Sequence, residues 1–426
     1  MNPLIVASRG KGAWNATKRA GTIVRRYGPT SKRMERSLTR YVQVLVNHEV
    51  QATFPFTASA LERNRSVVQR LAVHHVEFAV HGYHHVDHKA LSAEEQAAHL
   101  TKAAELFTTR GVNPTGFRSP YLRWNDHTIA AIEQAGFEYD SSEAIAWDVV
   151  DKHATERYER VLDFYGARSA ADTPCVPRRA GNLIRIPYCL PDDEALADRL
   201  DFEDLGQRDR VWIEILSETH RRGELFTLGL HPERFGQLEQ ALVETLRAAK
   251  DLVPTVWIAR LDEIARWWKA RTESTITVDE PSPGVFKIRI DGPDGVTPLT
   301  RNIERIASEP PGGADRRARD VELLVSSPVR PFVGVSHRSP KAVPTFLREQ
   351  GYIVEEVEHG RAHGSFIDRP QFDASHERDL LAELERHESP LVWLGRWPNG
   401  AQSALSITGD IDALTLWDYI GRFKRG

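Results

Sequence analysis

The sequence predicts an α/β protein built around a (β/α) barrel, followed by a small β-hairpin module and an α/β extension. First, short apolar segments alternate with helix-length amphipathic segments about seven times in roughly 250 residues, which fits a barrel better than an open sheet. Second, the hydrophobic pattern changes after Arg271. There, runs in which apolar and polar residues alternate, with Pro and Gly between the runs, replace the helical period. Third, strand–helix alternation resumes beyond a Pro- and Gly-rich loop at 309–315.

The predicted elements of the barrel follow one another from residue 11. Residues 11–28 are basic and predict a helix, and residues 31–48 predict a second helix with Ser31 as its N-cap. Ser92 and Glu95 have the spacing of a capping box at the start of a helix over 92–110. The other predicted strands are 50–56, one ending at His81, 116–121 (a short strand and loop), 137–140, 183–187, 225–230 and 253–258, and the other predicted helices are 59–72, 125–135, 194–201, 208–222, 236–251 and 259–271.

The part of the chain after Arg271 divides into smaller units. Residues 275–278 and 285–290 alternate as the strands of a hairpin. Further strands are predicted at 332–335, 352–357, 391–394 and 403–408, with helices at 340–349 and 377–386. We therefore place the domain boundaries at 1–271, 272–315, 316–400 and 401–426.

Composition indicates an ordinary globular protein. Of 426 residues, 41% are hydrophobic and 27% charged, and the net charge of −4 argues against nucleic acid or an anionic membrane as a partner. No apolar run approaches the roughly 20 residues that span a bilayer. The amino-terminal stretch lacks the basic and apolar regions of an export signal. The two cysteines, Cys175 and Cys189, predict packing residues, and the expected location is cytoplasmic.

Polar segments follow five predicted strands, at the end where a barrel builds its active site. The first contains four histidines within residues 81–88. His81 and His85 lie on one face if a helical turn follows the strand, and such a pair suits zinc or another divalent ion. A solvated, His-rich turn is the alternative. The other four segments are Gly116–Tyr121, Tyr139–Ser142 with Trp147–Asp148, Leu228–Pro232 and Thr408–Ala413.

Five motifs in this order resemble the polysaccharide deacetylases, the NodB-homology group or carbohydrate esterase family 4. They read ATFPFTA at 52–58, HGYHH at 81–85, GFRSPY at 116–121, GFEYDSS at 136–142 and LGLHPERF at 228–235, and the resemblance runs from about Glu49 to Lys269. Each motif is weak alone, and their order and spacing make them specific. The resemblance implies a distorted (β/α) barrel, a divalent metal, commonly zinc, held by one Asp and two His, and removal of acetyl groups from N-acetylated sugars.

One motif of the family is missing from its usual place. The family has two aspartates at the end of the first strand, but the segment before Glu49 contains no Asp, and Ser8 and Arg9 stand where carboxylates are expected. The segment at 396–415, RWPNGAQSALSITGDIDALT, is similar to that first strand. We infer a circular permutation in which residues 401–426 supply the first barrel strand, either to their own barrel or to a partner's.

The resemblance also implies roles for individual residues. Asp412, His81 and His85 would hold the metal, which would activate water and polarise the acetyl carbonyl. Asp410 would be the general base, oriented by Arg118, and His231 the general acid. The backbone N–H of Tyr121 would help to stabilise the oxyanion, and Asp140 or Asp148 would orient His231. An N-acetylated glycan or glycolipid intermediate would be the substrate, and a homo-oligomer stays among the alternatives.

Two other functions remain open. One is a deacetylase-like barrel without activity that binds carbohydrate, and the other is a C–N hydrolase of a small amide. Taken alone, Arg118 would be a surface ion pair and His231 part of a strand-end turn. Tyr188 and Asp192–Asp193, which follow a strand, are candidates for the substrate cleft. Five tryptophans are core or rim residues, with one or two as candidate sugar-stacking platforms; they are Trp124, Trp147, Trp393, Trp397 and Trp417.

Overall fold

The computed structural model describes residue 23, residues 26–306 and residues 320–421. Ser8 and Arg9 lie outside these residues, and so does most of the helix predicted over 11–28. Within the described residues, no helix has both the length and the apolar character that crossing a bilayer requires.

The strands that precede residue 272 are short, and several are buried along their whole length. Continuous apolar runs such as ATFPF at 52–56 suit strands that are covered on both faces. In chain order the strands are β1 (Ala52–Phe56), β2 (Glu77–Val80), β3 (Gly116–Phe117), β4 (Tyr139–Asp140), β5 (Ala144–Ala146), β6 (Arg168–Ser169), β7 (Arg178–Ala180), β8 (Leu183–Arg185), β9 (Tyr188–Leu190), β10 (Leu225–Gly229) and β11 (Val256–Ile258).

Helices alternate with these strands. They are α1 (Lys32–Asn47), α2 (Ala58–Arg63), α3 (Arg65–Ala72), α4 (Ala93–Thr109), α5 (Asp126–Gln134), α6 (Glu156–Tyr165), α7 (Asp193–Asp198), α8 (Leu205–Arg222), α9 (Phe235–Asp251) and α10 (Leu261–Thr272). The helix α1 buries Leu38, Tyr41 and Leu45 as its period predicts. Ser31 makes no capping bond to the backbone, and its hydroxyl donates to Glu35 instead.

Two helix boundaries have local causes. At the start of α4, Glu95 N–H donates to Ser92 Oγ at 3.2 Å and Ser92 N–H to Glu95 Oε2 at 2.8 Å, which confirms the predicted capping box. The single helix predicted over 59–72 is wrong. Asn64, with φ −126° and ψ 40°, separates α2 from α3, and its side-chain amide donates to Asp418 Oδ2 at 3.1 Å.

Beyond α10 the described chain forms smaller sheets with helices. These elements are β12 (Thr275–Ser282), β13 (Val285–Asp291), β14 (Pro298–Arg301), β15 (Glu304–Arg305), β16 (Asp320–Ser326), β17 (Arg330–Ser336), α11 (Ala342–Glu349), β18 (Val354–Val357), β19 (His363–Ile367), α12 (Glu377–Arg386) and β20 (Leu391–Leu394). The antiparallel pair β12–β13 is the predicted hairpin, and β13 also pairs with β16. Parallel strands in the order β18-β17-β19 form the centre of the α/β extension. The predicted domain boundaries stay a prediction.

The chain then returns to the barrel as β21 (Ser403–Thr408) and α13 (Leu416–Gly421). The main sheet has the order β10-β21-β1-β2-β3-β4-β8-β7, and β11 also pairs with β21. Pairing is parallel except between β7 and β8. The predicted fold class is confirmed: a mixed α/β protein whose sheet curls into a half-barrel.

Two large hydrophobic cores stabilise the barrel and its contact with the rest of the chain. Side chains such as Phe54, Phe226 and Ile407 fill the barrel core, where full burial of one such side chain stabilises the fold by roughly 1.5–3 kcal/mol. A second core joins α10 to the extension and includes Trp268 and Phe332. The extension is therefore packed against the barrel.

Candidate active site

Asp410, Ile411 and Asp412, here called the Asp-x-Asp motif, continue from β21 along the carboxyl end of β1. The backbone N–H groups of Gly409 and Ile411 donate to carbonyls of β1 at 3.0 Å and 2.7 Å. Because side chains alternate along an extended backbone, Asp410 and Asp412 point to the same side. Both carboxylates line one cavity together with the histidines at the end of β2. The segment with Asp410 and Asp412 thus lies beside β1 and β2, which are far from it in the sequence, whereas circular permutation as the origin of this order stays a hypothesis.

His81, His85 and Asp412 form a cluster with the composition of a metal site. One potential ligand atom from each residue lies within 4.8 Å of the other two. Asp412 Oδ1 is 3.4 Å from His81 Nε2, and Asp412 Oδ2 is 3.2 Å from His85 Nε2. Two imidazole nitrogens and a carboxylate oxygen are the donor set of many catalytic zinc sites.

The tautomer of His81 is fixed by its second ring nitrogen. His81 Nδ1 lies 2.8 Å from the backbone oxygen of Arg118, which only accepts hydrogen bonds, so that Nδ1 carries the proton. In the neutral ring the lone pair is then on Nε2, the nitrogen that lies nearer to Asp412. The helical turn that would place His81 and His85 on one face does not form, and the chain instead bends at Gly82 with φ +78°. With this left-handed residue in the turn, the ring centroids of His81 and His85 lie 5.1 Å apart.

The other two histidines of residues 81–88, His84 and His88, lie behind this turn. His88 is fully buried, and its Nε2 is 3.2 Å from Nδ1 of His99 on α4. His84 Nδ1 is 2.9 Å from Ser59 Oγ. Burial lowers the pKa of His88, and it lowers the pKa values of His84 and His99 to about 4, so these rings are neutral near pH 7. They add no positive charge beside the candidate metal site.

Arg118 is fully buried and reaches the Asp-x-Asp motif from β3. Its Nη1 donates to Asp410 Oδ1 at 2.6 Å and to Thr408 Oγ1 at 2.9 Å. Its Nε and Nη2 donate to the backbone oxygen and hydroxyl of Ser141 at 3.0 Å and 2.9 Å. The predicted contact between Arg118 and Asp410 is therefore present, and one carboxylate oxygen is held in a charge-assisted hydrogen bond.

His231 lies at the end of β10, across the cavity from the Asp-x-Asp motif. Its Nδ1 is 2.7 Å from Asp193 Oδ1, and its backbone N–H donates to Asp193 Oδ2 at 2.8 Å. Burial by itself lowers the pKa of His231. The charge of Asp193 and its hydrogen bond, with smaller contributions from nearby carboxylates, outweigh burial and raise the pKa well above its ordinary value.

The prediction that Asp140 or Asp148 orients His231 is wrong, because Asp193 is the residue that contacts the His231 ring. Asp140 is buried at the end of β4 and accepts hydrogen bonds from Ser142 and Arg185. Asp148 is exposed at the start of a short 3₁₀ helix. Strand order explains the difference, because β10 lies at the far edge of the sheet from β4.

Tyr121 borders the cavity beside the metal-ligand candidates. Its ring centroid lies 4.4 Å from that of His85 in an edge-to-face contact. Tyr121 and Leu122 both have left-handed backbones, with φ +61° and +54°. Two consecutive non-glycine residues in this region are costly and occur mostly where a functional geometry requires them. The oxyanion role of the Tyr121 N–H stays a prediction.

One cavity of about 70 Å³ joins these groups. It accommodates a group of a few heavy atoms, since one water molecule needs only about 10–15 Å³ of such space. Its walls carry carboxylates, imidazoles and aromatic rings; they are His81, His85, Ser119, Tyr121, Leu122, Tyr165, Tyr188, Asp192, Glu194, His231, Asp410 and Asp412.

The sequence predicted that Asp193 lies near the cleft but not that it contacts His231. The pair Asp192–Asp193 follows β9 and was a candidate for the cleft, and Asp192 lines the cavity. Asp193 reaches His231 because β9 lies next to β10 in the fold, and the sequence gives no sign that these two strands are neighbours.

Of the tryptophans, Trp147 and Trp397 are buried in the core, and Trp417 on α13 is 62% exposed.

Comparison with known proteins supports the family resemblance. Residues 27–139 match the family model of polysaccharide deacetylases. A peptidoglycan deacetylase-like protein from Gibberella zeae is 40% identical over 67 residues, which are 16% of this chain and 20% of that protein. The match therefore spans a fifth of the relative's length.

Two solved structures are also similar. Puue allantoinase is 20% identical with a TM-score of 0.44, over 55% of this chain and 72% of the other. A probable polysaccharide deacetylase from Pseudomonas aeruginosa is 21% identical with a TM-score of 0.44, over the same shares of the two chains. The resemblance that the motifs predicted is confirmed by the family model and by the curated relative.

Proposed function

We propose that this chain is a metal-dependent hydrolase that removes N-acetyl or O-acetyl groups from a glycan or glycan precursor. The polysaccharide deacetylase match supports deacetylase activity and an acetylated glycan as substrate. The single observation that carries the proposal is the cavity of about 70 Å³, on which a candidate metal cluster, a base and an acid converge.

The residues present fit a divalent metal. His81 can offer Nε2 as a ligand because Arg118 O accepts its Nδ1–H, and Asp412 supplies a carboxylate between the two histidines. Zinc accepts such a mixed nitrogen and oxygen set, and when bound it would acidify water and polarise a carbonyl group. His81, His85 and Asp412 are thus the proposed ligands.

Asp410 is the proposed general base. Arg118 Nη1 occupies its Oδ1 at 2.6 Å, which leaves Oδ2 to accept a proton from the attacking water. The buried guanidinium holds this carboxylate in one orientation. Transfer of the water proton to Asp410 accompanies formation of the new C–O bond at the acetyl carbon.

His231 is the proposed general acid. Asp193 holds Nδ1–H, so Nε2–H is the donor that faces the cavity. As the C–N bond breaks, Nε2 gives its proton to the departing nitrogen, and acetate and an amine result. The raised pKa of His231 favours the protonated form that this step consumes. Loss of a proton from Asp410 and gain of one by His231 restore the starting state.

The test is acetate release by the purified chain supplied with Zn²⁺. The substrates are N-acetylglucosamine oligomers and O-acetylated oligosaccharides, with chelator-treated protein as the control. Small cyclic amides are assayed in parallel, with ring opening as the readout. Acetate release that stops with chelator and with Asp410→Asn is the expected result. Hydrolysis of small amides alone would favour the other C–N hydrolase function. Glycan binding without any turnover would favour an inactive binding protein.

A second set of measurements concerns location and substrate. The cytoplasmic location is a proposal, and cell fractionation with an antibody against the chain tests it. A cytoplasmic chain would act on a glycan or glycolipid intermediate, and recovery in an exported fraction would instead favour mature glycan. The oligomeric state is measurable by light scattering.

A further inference from the structure

Tyr188 contacts both halves of the candidate active site, and no step proposed above uses it. It lies in β9, is 1% exposed and borders the cavity. Three of its contacts involve the residues that hold Asp410 and His231.

The first contact is with the base side. The guanidinium carbon of Arg118 lies 4.6 Å from the centroid of the Tyr188 ring. The N–H donors of a guanidinium lie in its plane, and those of Arg118 are directed at Ser141, Thr408 and Asp410. The face of this fully buried cation has no N–H to donate. The π face of an aromatic ring attracts a cation, so the Tyr188 ring is a favourable partner for it and helps to hold the guanidinium in place.

The second contact is with the acid side. Tyr188 Oη donates to Asp192 Oδ2 at 3.0 Å. The other oxygen of Asp192 accepts the N–H of Ala195 at 2.9 Å and caps α7. Asp193 is the next residue, in the first turn of this helix. The tyrosine hydroxyl thus fixes the turn that aims Asp193 at His231.

The third contact is with the backbone of β10. A Cβ atom on Gly229 would lie 1.8 Å from Tyr188 Oη and 2.4 Å from its Cζ. The strand can pass the ring at this distance only because residue 229 has no side chain. His231 follows two residues later, so the ring also sets the distance between β9 and the strand that carries the acid.

We propose that Tyr188 is a positioning residue that holds the Arg118–Asp410 pair and the Asp193–His231 pair in register across the cavity. This inference rests on the proposed function for its catalytic meaning. The contacts themselves are testable without turnover.

The kinetic test compares Tyr188→Phe, which keeps the ring, with Tyr188→Leu, which removes it. Loss of one hydrogen bond in Tyr188→Phe is expected to lower kcat about tenfold. Misplacement of Arg118 in Tyr188→Leu is expected to lower kcat about 100-fold. In both variants KM changes little, since Tyr188 acts through other residues. Wild-type kcat in a folded Tyr188→Leu protein would overturn the proposal.

Tyr139→Phe is the matched control. Tyr139 is also buried, also donates to a carboxylate (Glu77 Oε1, 2.6 Å), and also fills the space above a glycine, Gly116. It does not border the cavity. It should lose stability as Tyr188→Phe does while keeping kcat. An equal loss of kcat in both variants would reduce Tyr188 to a packing residue and contradict the proposal.

A measurement independent of activity follows the Nε–H resonance of Arg118 by NMR on protein labelled with ¹⁵N-arginine. Tyr188→Leu should remove the ring-current shift of this resonance and speed its exchange with water, whereas Tyr188→Phe should preserve both. No change in Tyr188→Leu would overturn the proposal. If the wild-type protein releases no acetate, the proposed function fails, and the resonance still decides whether Tyr188 positions Arg118.

Discussion

Asp193 contacts His231 at two points, through the ring Nδ1 at 2.7 Å and through the backbone N–H at 2.8 Å. One carboxylate therefore fixes both the place of the residue and the orientation of its ring. It also stabilises the imidazolium, which is why the pKa of His231 is raised despite burial. The pair is the acid half of the proposed mechanism.

Asp193→Asn should shift the pH dependence of the reaction. A neutral amide cannot stabilise the imidazolium, so the pKa of His231 falls. A general acid works in its protonated form, so activity is present below this pKa and is lost as the pH rises through it. The alkaline limb of the kcat/KM profile should therefore move to lower pH, as a pH series of initial rates measures.

Asp148→Asn is the control for this shift. Asp148 is exposed, and its replacement should leave both limbs of the profile in place. Alkaline limbs that coincide for wild type and Asp193→Asn would contradict the assignment of His231 as the acid. A shift in Asp148→Asn would restore the role that the sequence predicted for it.

Arg118→Ala should destabilise the protein as well as lower its activity. The substitution leaves the carboxylate of Asp410 buried without its cation, which typically costs about 3–5 kcal/mol. Urea denaturation in the presence of chelator measures this loss without a contribution from bound metal. Arg65→Ala, which removes a half-exposed partner of Glu62, should change the unfolding free energy by less than about 1 kcal/mol. Similar values for the two variants would argue against a buried ion pair.

Metal binding should depend on His81, His85 and Asp412 and not on their neighbours. Ala at any of the three positions should reduce bound zinc below one equivalent, because each removes one proposed ligand. His84→Ala is the matched control, since His84 contacts Ser59 and is not in the cluster. Elemental analysis after dialysis measures the stoichiometry. Full occupancy in Asp412→Ala would exclude Asp412 as the third ligand.

Gly229→Ala should destabilise the protein, because the added methyl overlaps Tyr188. Overpacking of this kind typically costs about 1–3 kcal/mol. Gly236 on α9 has open space where its Cβ would be, so Gly236→Ala should show no loss of stability. Denaturant unfolding compares the two variants. If Gly229→Ala is as stable as wild type, β9 and β10 are less tightly packed than the contact at Gly229 requires.

Local patterns were sufficient for most of the secondary structure. The Ser92–Glu95 capping box and the apolar face of α1 depend on neighbours three or four residues apart. The break at Asn64 was not predictable in this way. Asn64 donates to Asp418, which lies at the opposite end of the chain, and no local pattern encodes that partner.

The sequence by itself determined the fold class, the family resemblance and the two residue types most needed for chemistry, histidine and aspartate at strand ends. Parallel strands bring their carboxyl ends to one edge, so His81, His231 and Asp410 could be expected together. Only the tertiary structure decided that Asp193 orients His231, that Gly82 bends the histidine turn and that Tyr188 lies between Arg118 and Asp192. These relationships depend on which strands become neighbours and how closely they pack. Neighbouring strands are set by burial over the whole chain, whereas motifs record only what is close in sequence.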